Sequence, residues 1–389
     1  MVAVLPSSSP AACLPERVAR LCARAQDPLE LFEHVAALVR TVVPYTAAGW
    51  ILIDPDTMLM NGVYAEGVDR DLHLELIAHE LTVDDINKFW ELAHRGTAAA
   101  ALSVSTEGDL RRSARWARCY GPNGYGDELR AVFATGRVAW GHACLSRDGD
   151  DPFFSPRDVE LVASIAPHVA HGIRSCYLLG DLTGAGQAES PALVMLADDG
   201  SVESATPQAV EWLGAPDDPR LETTIVLHEV AHWARLLAEG DEVPTAAPPW
   251  AAPGLLQPVP PALARVRSRT GEWLVVRGVR MPRADPSSGA QGTTALVLEP
   301  ARRADLAPLL VRLRQLTDRE REVTQLLLVG MSTATIAHEL WISPETLRGH
   351  VKSVFSKLGV SSRPELAALL SQEPRVRVRP DATAGRRSP

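Results

Sequence analysis

Residues 316–370 read LTDREREVTQLLLVGMSTATIAHELWISPETLRGHVKSVFSKLGVSSRPELAALL, and the stretch holds four short helical patterns, each with its own start signal. Thr317 and Glu320 form a Thr-x-x-Glu capping box, so a helix begins near Asp318 with Val323, Leu326 and Leu327 as its apolar stripe. Gly330 is its expected stop, because glycine takes the left-handed cap cheaply. Ser332 caps a second helix carrying Ile336, Ala337 and Leu340. Ser343 followed by Pro344 starts a third, since proline at the first helical position loses no hydrogen bond. In that third helix Leu347, Val351, Val354 and Leu358 recur at i, i+4, i+7 and i+11, which predicts one buried face. The opposite face carries Glu345, Arg348, Gly349, Lys352, Ser353 and Ser356. Gly359 ends the helix, and Ser362 with Glu365 boxes a fourth that runs to Leu370.

Two helices joined by a tight turn, the second basic on its solvent face, are what reading a DNA major groove requires. A small helical bundle with ordinary solvated charges has the same periodicity. The whole stretch closely resembles the LuxR-type (also called FixJ/NarL-type) helix-turn-helix of bacterial transcription regulators. The matching residues are LTDREREV in the first helix and GMSTATIAHEL from Gly330 to Leu340. They continue as WISPETLRGHV to Val351 and KSVFSKLG to Gly359. The resemblance implies that the third helix is the recognition helix, with Thr346, Arg348, Lys352 and Lys357 on phosphates or bases. It implies a dimer surface on the fourth helix. Thr333, Ser343, Glu345, Gly349 and Ser353 complete the candidate DNA-binding residues on the same grounds. One residue departs from the pattern: Gly349 stands where the family usually has asparagine or a similar polar residue, at a cost of about 1 kcal/mol of helix stability relative to alanine.

At 389 residues the chain has room for two or three domains, and 46% hydrophobic with 22% charged residues is a globular composition. No apolar run approaches the roughly 20 residues needed to span a membrane, and the N-terminus has no apolar core segment of a signal peptide. Cys13, Cys22, Cys119, Cys144 and Cys176 include no Cys-x-x-Cys pair, so reduced thiols and a cytoplasmic location are expected. The net charge of −9 argues against a protein that coats nucleic acid. From residue 311 to the end there are 13 Lys+Arg against 8 Asp+Glu, while the rest holds 26 against 40. An acidic body with a basic C-terminal module suits specific DNA binding. It also suits self-inhibition, in which the body covers the basic face.

Residues 1–14 are rich in Ser, Pro and Ala and are expected to be disordered. Helical spacing from Pro15 to Val43 precedes a strand at Ala47 to Ile53, a turn at Asp54-Pro55-Asp56 and a partner strand at Met58 to Tyr64. Leu72 to Leu92 reads as mostly helical. Glu128 to Phe133 and Arg137 to Cys144 read as two strands, and Ser155-Pro156 starts a helix striped by Val159, Val162, Ala166, Val169 and Ile173. This order, with the strand GRVAWGHACL, resembles a GAF-type domain over residues 15–180. Such domains hold small ligands or dimerise. Trp50, Trp90, Trp116, Tyr120, Trp140 and His142 are therefore the candidate ligand-binding residues, with core packing as the alternative role of each. A second module, residues 190–300, has a strand at Ala192 to Ala197, a turn at Asp198-Asp199-Gly200, and helices at Pro207 to Leu213 and Glu222 to Ala238. Strands follow at Ala264 to Arg269, Glu272 to Met281 and Thr293 to Leu298. It resembles a PAS-type domain interrupted by a Pro/Ala-rich insertion at 244–261. Residues 301–315 read as a helical connector, 316–370 as the DNA-binding domain and 371–389 as a disordered tail with Arg375, Arg377 and Arg379.

His228-Glu229-Val230-Ala231-His232 spells His-Glu-x-x-His on a helical stretch, the spacing that puts two zinc-binding imidazoles on one helix face with a glutamate beside the metal-bound water. A third ligand is missing: Arg235 and Ala238 occupy the positions of the extended pattern, and the Pro/Ala segment holds no acid. No phosphate-binding loop, no Gly-x-Ser-x-Gly and no phosphoacceptor pattern is present, and Gly121 to Gly126 reads as a surface turn. The expected fold class is therefore multidomain, two α+β modules followed by an all-α four-helix helix-turn-helix. The expected function is a sequence-specific DNA-binding transcription regulator, not an enzyme, with no cofactor and no metal. Double-stranded DNA, a second copy of the chain and an unidentified small molecule are its expected partners, and no membrane. The alternatives are a zinc-dependent hydrolase built on residues 228–232 and an interaction scaffold that has lost DNA binding.

Overall fold

The computed structural model describes residues 13–136, 138–179, 192–214, 221–239, 261–281, 292–314 and 316–370. The expectations for residues 1–12, for the insertion at 244–260 and for the tail at 371–389 lie outside these residues. Leu14, placed in the N-terminal segment by sequence, instead starts α1 (Leu14–Cys22) and is fully buried. The helical spacing from Pro15 to Val43 splits in two because Asp27 caps a second helix, α2 (Pro28–Arg40). Its carboxylate accepts from the amides of Leu29 (2.8 Å) and Glu30 (3.1 Å).

β1 (Ala47–Ile53) and β2 (Met60–Glu66) form an antiparallel hairpin. After α3 (Arg70–Thr82), α4 (Phe89–Arg95), β3 (Ala99–Ala101) and α5 (Leu102–Ser105) come the long strands β4 (Tyr125–Thr135) and β5 (Val138–Asp148). They are joined across Gly136, whose φ of +60° suits glycine. α6 (Pro156–Leu179) closes this unit, and the sheet order is β2-β1-β5-β4-β3. One face of the sheet (Trp50, Leu52, Leu129, Phe133, Leu145) packs against α2 and α6 in a core that includes Phe32, Val169 and Ile173.

The second sheet is built from β6 (Ala192–Ala197), β7 (Val202–Ala205), β8 (Leu263–Arg267), β9 (Trp273–Met281) and β10 (Thr293–Pro300), in the order β7-β6-β10-β9-β8. Both sheets are antiparallel throughout. Between β7 and β8 lie α7 (Pro207–Leu213), capped by Thr206, and α8 (Leu221–Glu239). α8 packs on β9 and β10 of its own sheet and on β2 and α3 of the first unit. Ile51, Val63 and Ile77 of the first unit therefore share a core with Val230, Leu274 and Leu296 of the second. α9 (Arg303–Leu313) follows and buries Leu306, Leu309 and Leu313 in the first core.

The C-terminal part is helical: α10 (Asp318–Leu328), α11 (Thr333–Glu339), α12 (Pro344–Leu358) and α13 (Arg363–Leu370). Its core is Val323, Leu327, Ile336, Leu347, Val354, Leu358 and Leu366 with their neighbours. Among the described residues, no helix is long and apolar enough to cross a membrane.

The α8 interface carries a titratable group. Glu229 is buried and its carboxylate accepts from the Met60 amide of β2. Burial pushes the carboxyl up to about 8, against the lowering effect of the Met60 bond. The folded chain thus holds this proton to about pH 8, whereas an unfolded chain releases it near 4.5. Stability from this group is fully present below about pH 4.5 and declines as the pH rises to about 8. Glu229→Gln keeps an oxygen for Met60 and removes the ionisation. It is expected to raise the melting midpoint at pH 8.5 by at least about 2 °C relative to the natural chain, with the gap closing below pH 4.5, as read by melting curves across that range.

Candidate nucleic-acid interface

The local folding of residues 316–370 follows its caps. Thr317 accepts from the Glu320 amide (3.2 Å) while the Glu320 carboxylate accepts from the Thr317 amide (2.7 Å). Ser332 caps α11 through the Thr335 amide (3.1 Å), and Ser343 caps α12 through the Thr346 amide (3.0 Å). Gly359, at φ +67°, ends α12. Leu347, Val354 and Leu358 are buried and Val351 is half-buried. The inward face of α12 is thereby fixed, and Glu345, Arg348, Gly349, Lys352 and Ser356 are exposed.

On that outer face Ser343, Glu345, Thr346, Arg348, Gly349 and Lys352 are exposed. Arg348 pairs with Glu345 at 3.0 Å, one helical turn apart and open to solvent. Thr333 of α11 joins Arg348 and Lys352 along the rim of an open groove of about 560 Å³, floored by Leu347, Val351, Phe355 and Val360. Seven of the nine candidate residues therefore open to solvent, with Thr333, Arg348 and Lys352 on one groove.

Ser353 and Lys357 do not. The Ser353 hydroxyl donates to Glu320 Oε1 and Lys357 Nζ to Glu320 Oε2, both at 2.6 Å. Both side chains reach back to α10, because a buried carboxylate that also closes a capping box draws donors from the next helix. Burial alone would raise the Glu320 carboxyl, but the bonds from Lys357, Ser353 and Thr317 outweigh it and hold the carboxyl at about 2. α13, expected to present a dimer surface, packs its buried Leu366 and Leu369 toward α9 and α10.

The six aromatic candidates of the first unit do not converge. Trp50 stacks on Phe133 (5.8 Å between rings, 11°), and Trp140 donates to Thr135 Oγ1 (2.7 Å) beside Tyr177. Both belong to the core under α2 and α6. Trp116 donates to the Gly126 carbonyl (2.7 Å), Trp90 is half-buried on α4, and His142 stacks on Phe89 (3.7 Å). Tyr120 lines a small cavity with His73, Tyr125 and Cys144. At about 10 Å³ that space has room for one water. The other face of the sheet carries buried ion pairs instead, beside the core shared with α8: Arg115–Glu128 (2.7 Å), Arg130–Glu128 (2.9 Å) and Arg130–Glu80 (2.8 Å). Alternation along a strand cannot tell a ligand face from a face filled by charges brought in from α3 and from the segment before β4.

The His-Glu-x-x-His residues also diverge. His228 Nε2, the atom that would bind a metal, bonds the Gly200 carbonyl. Glu229 faces Met60, and His232 Nδ1 bonds Arg235 at 2.9 Å. Among the described residues, no group of three or more His, Cys, Asp or Glu is placed to hold a metal.

Two measurements check this site. A Cβ added at Gly349 meets nothing within 4 Å, so Gly349→Ala is expected to stabilise α12 by about 1 kcal/mol and slow hydrogen exchange of its amides about five-fold. The depressed Glu320 carboxyl contributes stability that is present above about pH 4.5 and lost as the pH falls toward about 2. Glu320→Gln is expected to flatten that acid limb in helix-monitored unfolding of residues 316–370 within the full chain.

Residues 314–370 match the family model described as bacterial regulatory proteins, luxR family. Over 48 residues the chain is 50% identical to the spore germination protein GerE of Bacillus subtilis, which is 12% of this chain and 65% of GerE. Over 62 residues it is 42% identical to the probable transcriptional regulatory protein NarL of Mycobacterium tuberculosis, 16% of this chain and 26% of NarL. The chain thus spans less than two thirds of each of these relatives. Among solved structures, the GAF domain from Acinetobacter phosphoenolpyruvate-protein phosphotransferase aligns at 11% identity, covering 45% of this chain and 99% of that one, with a TM-score of 0.33. The Vibrio cholera VqmA-Ligand-DNA complex aligns at 18%, covering 46% and 81%, with a TM-score of 0.21. The C-terminal residues 314–370 of this chain carry a LuxR-type helix-turn-helix domain.

Proposed function

We propose that this chain is a sequence-specific DNA-binding transcription regulator of the bacterial cytoplasm, acting as a dimer. The observation that carries the reading is α12. On a segment that matches the luxR family model, Ser343, Thr346, Arg348 and Lys352 stand exposed on one face while Leu347, Val354 and Leu358 anchor the other. That face enters the major groove, and the four helices α10–α13 form the reading head. Two copies place their α12 helices in successive grooves, about 34–36 Å apart, which calls for an inverted-repeat site.

The two sheet units are the input. The first, residues 15–180, is read as GAF-like and the second, residues 190–300, as PAS-like. Their shared strand order, with the first hairpin beside the last strand, supports the pairing of two related modules. A small molecule that favours one arrangement of these units shifts the chain toward or away from DNA-competent geometry. The connector supports that route: Arg174 of α6 donates to the Leu313 carbonyl at the end of α9 (2.8 Å), and α13 packs on α9.

The test is selection of bound duplexes from randomised DNA with the full chain at physiological salt. An inverted repeat is the expected product, and recovery of no sequence overturns the reading. Arg348→Ala and Lys352→Ala are then each expected to weaken binding to the selected duplex and to reduce the salt slope by about one.

A further inference from the structure

Trp341 is 91% exposed, the most exposed large apolar side chain among the described residues. Its backbone sits at φ +53°, in the left-handed region that disfavours a bulky L-residue. The turn between α11 and α12 imposes that angle. Trp341 N donates to the His338 carbonyl (3.1 Å), Ile342 N donates to the Ala337 carbonyl (3.0 Å), and Arg319 of α10 bonds the Leu340 carbonyl. Glycine or asparagine closes such a cap at lower cost. The fold returns little to the indole, whose ring neighbour is the exposed His338, with centroids 6.3 Å apart. A strained backbone presenting an unburied tryptophan on a hydrogen-bonded turn points to a contact outside the chain.

The position of the turn says what that is. Ser343, which caps α12, follows two residues later, and the exposed Thr346 and Arg348 lie one turn further on. We propose that Trp341 is a DNA contact, its ring face against deoxyribose at the lip of the groove that α12 enters and its Nε1–H donating to a backbone phosphate. Indole offers one donor and no acceptor, which matches an acceptor-only phosphate oxygen. Its flat apolar face matches the C–H surface of the sugar. A contact of this kind positions the protein and does not read sequence. The proposal rests on α12 being the groove helix.

The experiment uses the full chain with Trp341→Gly and Trp341→Phe, and as probe the duplex recovered by selection together with a scrambled duplex. Glycine relieves the backbone strain, so Trp341→Gly is expected to melt at the same temperature as the natural chain or higher. It is expected to bind both duplexes at least about ten-fold more weakly, from the loss of one hydrogen bond to a charged acceptor together with the ring contact to the sugar. Because indole is neutral, the salt slope stays that of the natural chain, unlike the Lys352→Ala slope. Trp341→Phe, which keeps a ring and loses the N–H, falls between. Unchanged affinity in Trp341→Gly overturns the contact. A loss of affinity that comes with a lower melting midpoint, while Trp341→Phe binds as the natural chain does, also overturns it. If the natural chain itself binds no duplex, the regulator reading fails and takes this contact with it.

Discussion

The arrangement of this chain depends on one buried ion pair. Asp54 ends the β1 strand and Arg265 sits in β8, 211 residues later, and both side chains are almost fully enclosed. Arg265 Nη1 donates to both oxygens of Asp54, at 2.9 and 2.7 Å, and Arg265 N adds a longer bond at 3.3 Å. Two charges withdrawn from water cost several kcal/mol each, and only close geometry with further hydrogen bonds offsets that. Those bonds are present: Arg265 Nε donates to the Asp305 carbonyl of α9, and Arg265 also pairs with Asp56 at 3.5 Å. The net worth of such a pair is small, but loss of one partner strands a buried charge at a cost of about 3–5 kcal/mol. The pair therefore specifies an arrangement more than it stabilises one. It ties the first hairpin to the second sheet, and through the Asp305 carbonyl it reaches the connector.

α8 completes that arrangement by satisfying polar groups inside an apolar layer. His228 and Glu229 find partners on other elements, at Gly200 and Met60, and His232 bonds Arg235 one turn along α8 itself. A helix pressed between two sheets presents several faces to protein, so imidazoles one turn apart need not meet at a shared point. The spacing that marks a metal site on a helix bordering a cleft is, in a helix packed between two sheets, a spacing that serves two separate hydrogen bonds. Gly200 shows how tight the fit is: a Cβ there would lie 2.7 Å from the His228 ring.

What was legible in the sequence was local. The Thr317–Glu320 box, the Ser332 and Ser343 caps and the Gly359 stop each act within four residues, and each is found where its pattern placed it. So are the strands written as short apolar runs, β1 and β6 among them. The misses are long-range. Nothing near Ser353 or Lys357 announces that Glu320, more than thirty residues earlier, claims both. Nor does the strand holding Trp140 and His142 reveal the register shift between Phe133 and Ala134 on its partner, which accompanies the placing of those two side chains in different surroundings. Trp341 was passed over for another reason. Read as a letter in a turn it looks like an ordinary apolar residue, and its positive φ belongs to the closed cap rather than to any pattern of residue types.

The Glu320 contacts bear on how α12 acts. By drawing Lys357 inward, Glu320 removes a cation from the outer surface, and Glu345 partly offsets Arg348 on the surface that remains. That face is therefore less basic than its sequence suggests, and it is carried on a chain whose other residues are strongly acidic. Counterion release, which drives indiscriminate attachment to DNA, scales with the number of phosphates neutralised. With few exposed cations on it, that face gains little from an arbitrary duplex. On the regulator reading, a larger share of its binding then has to come from shape, caps and neutral donors that work only when the helix is seated.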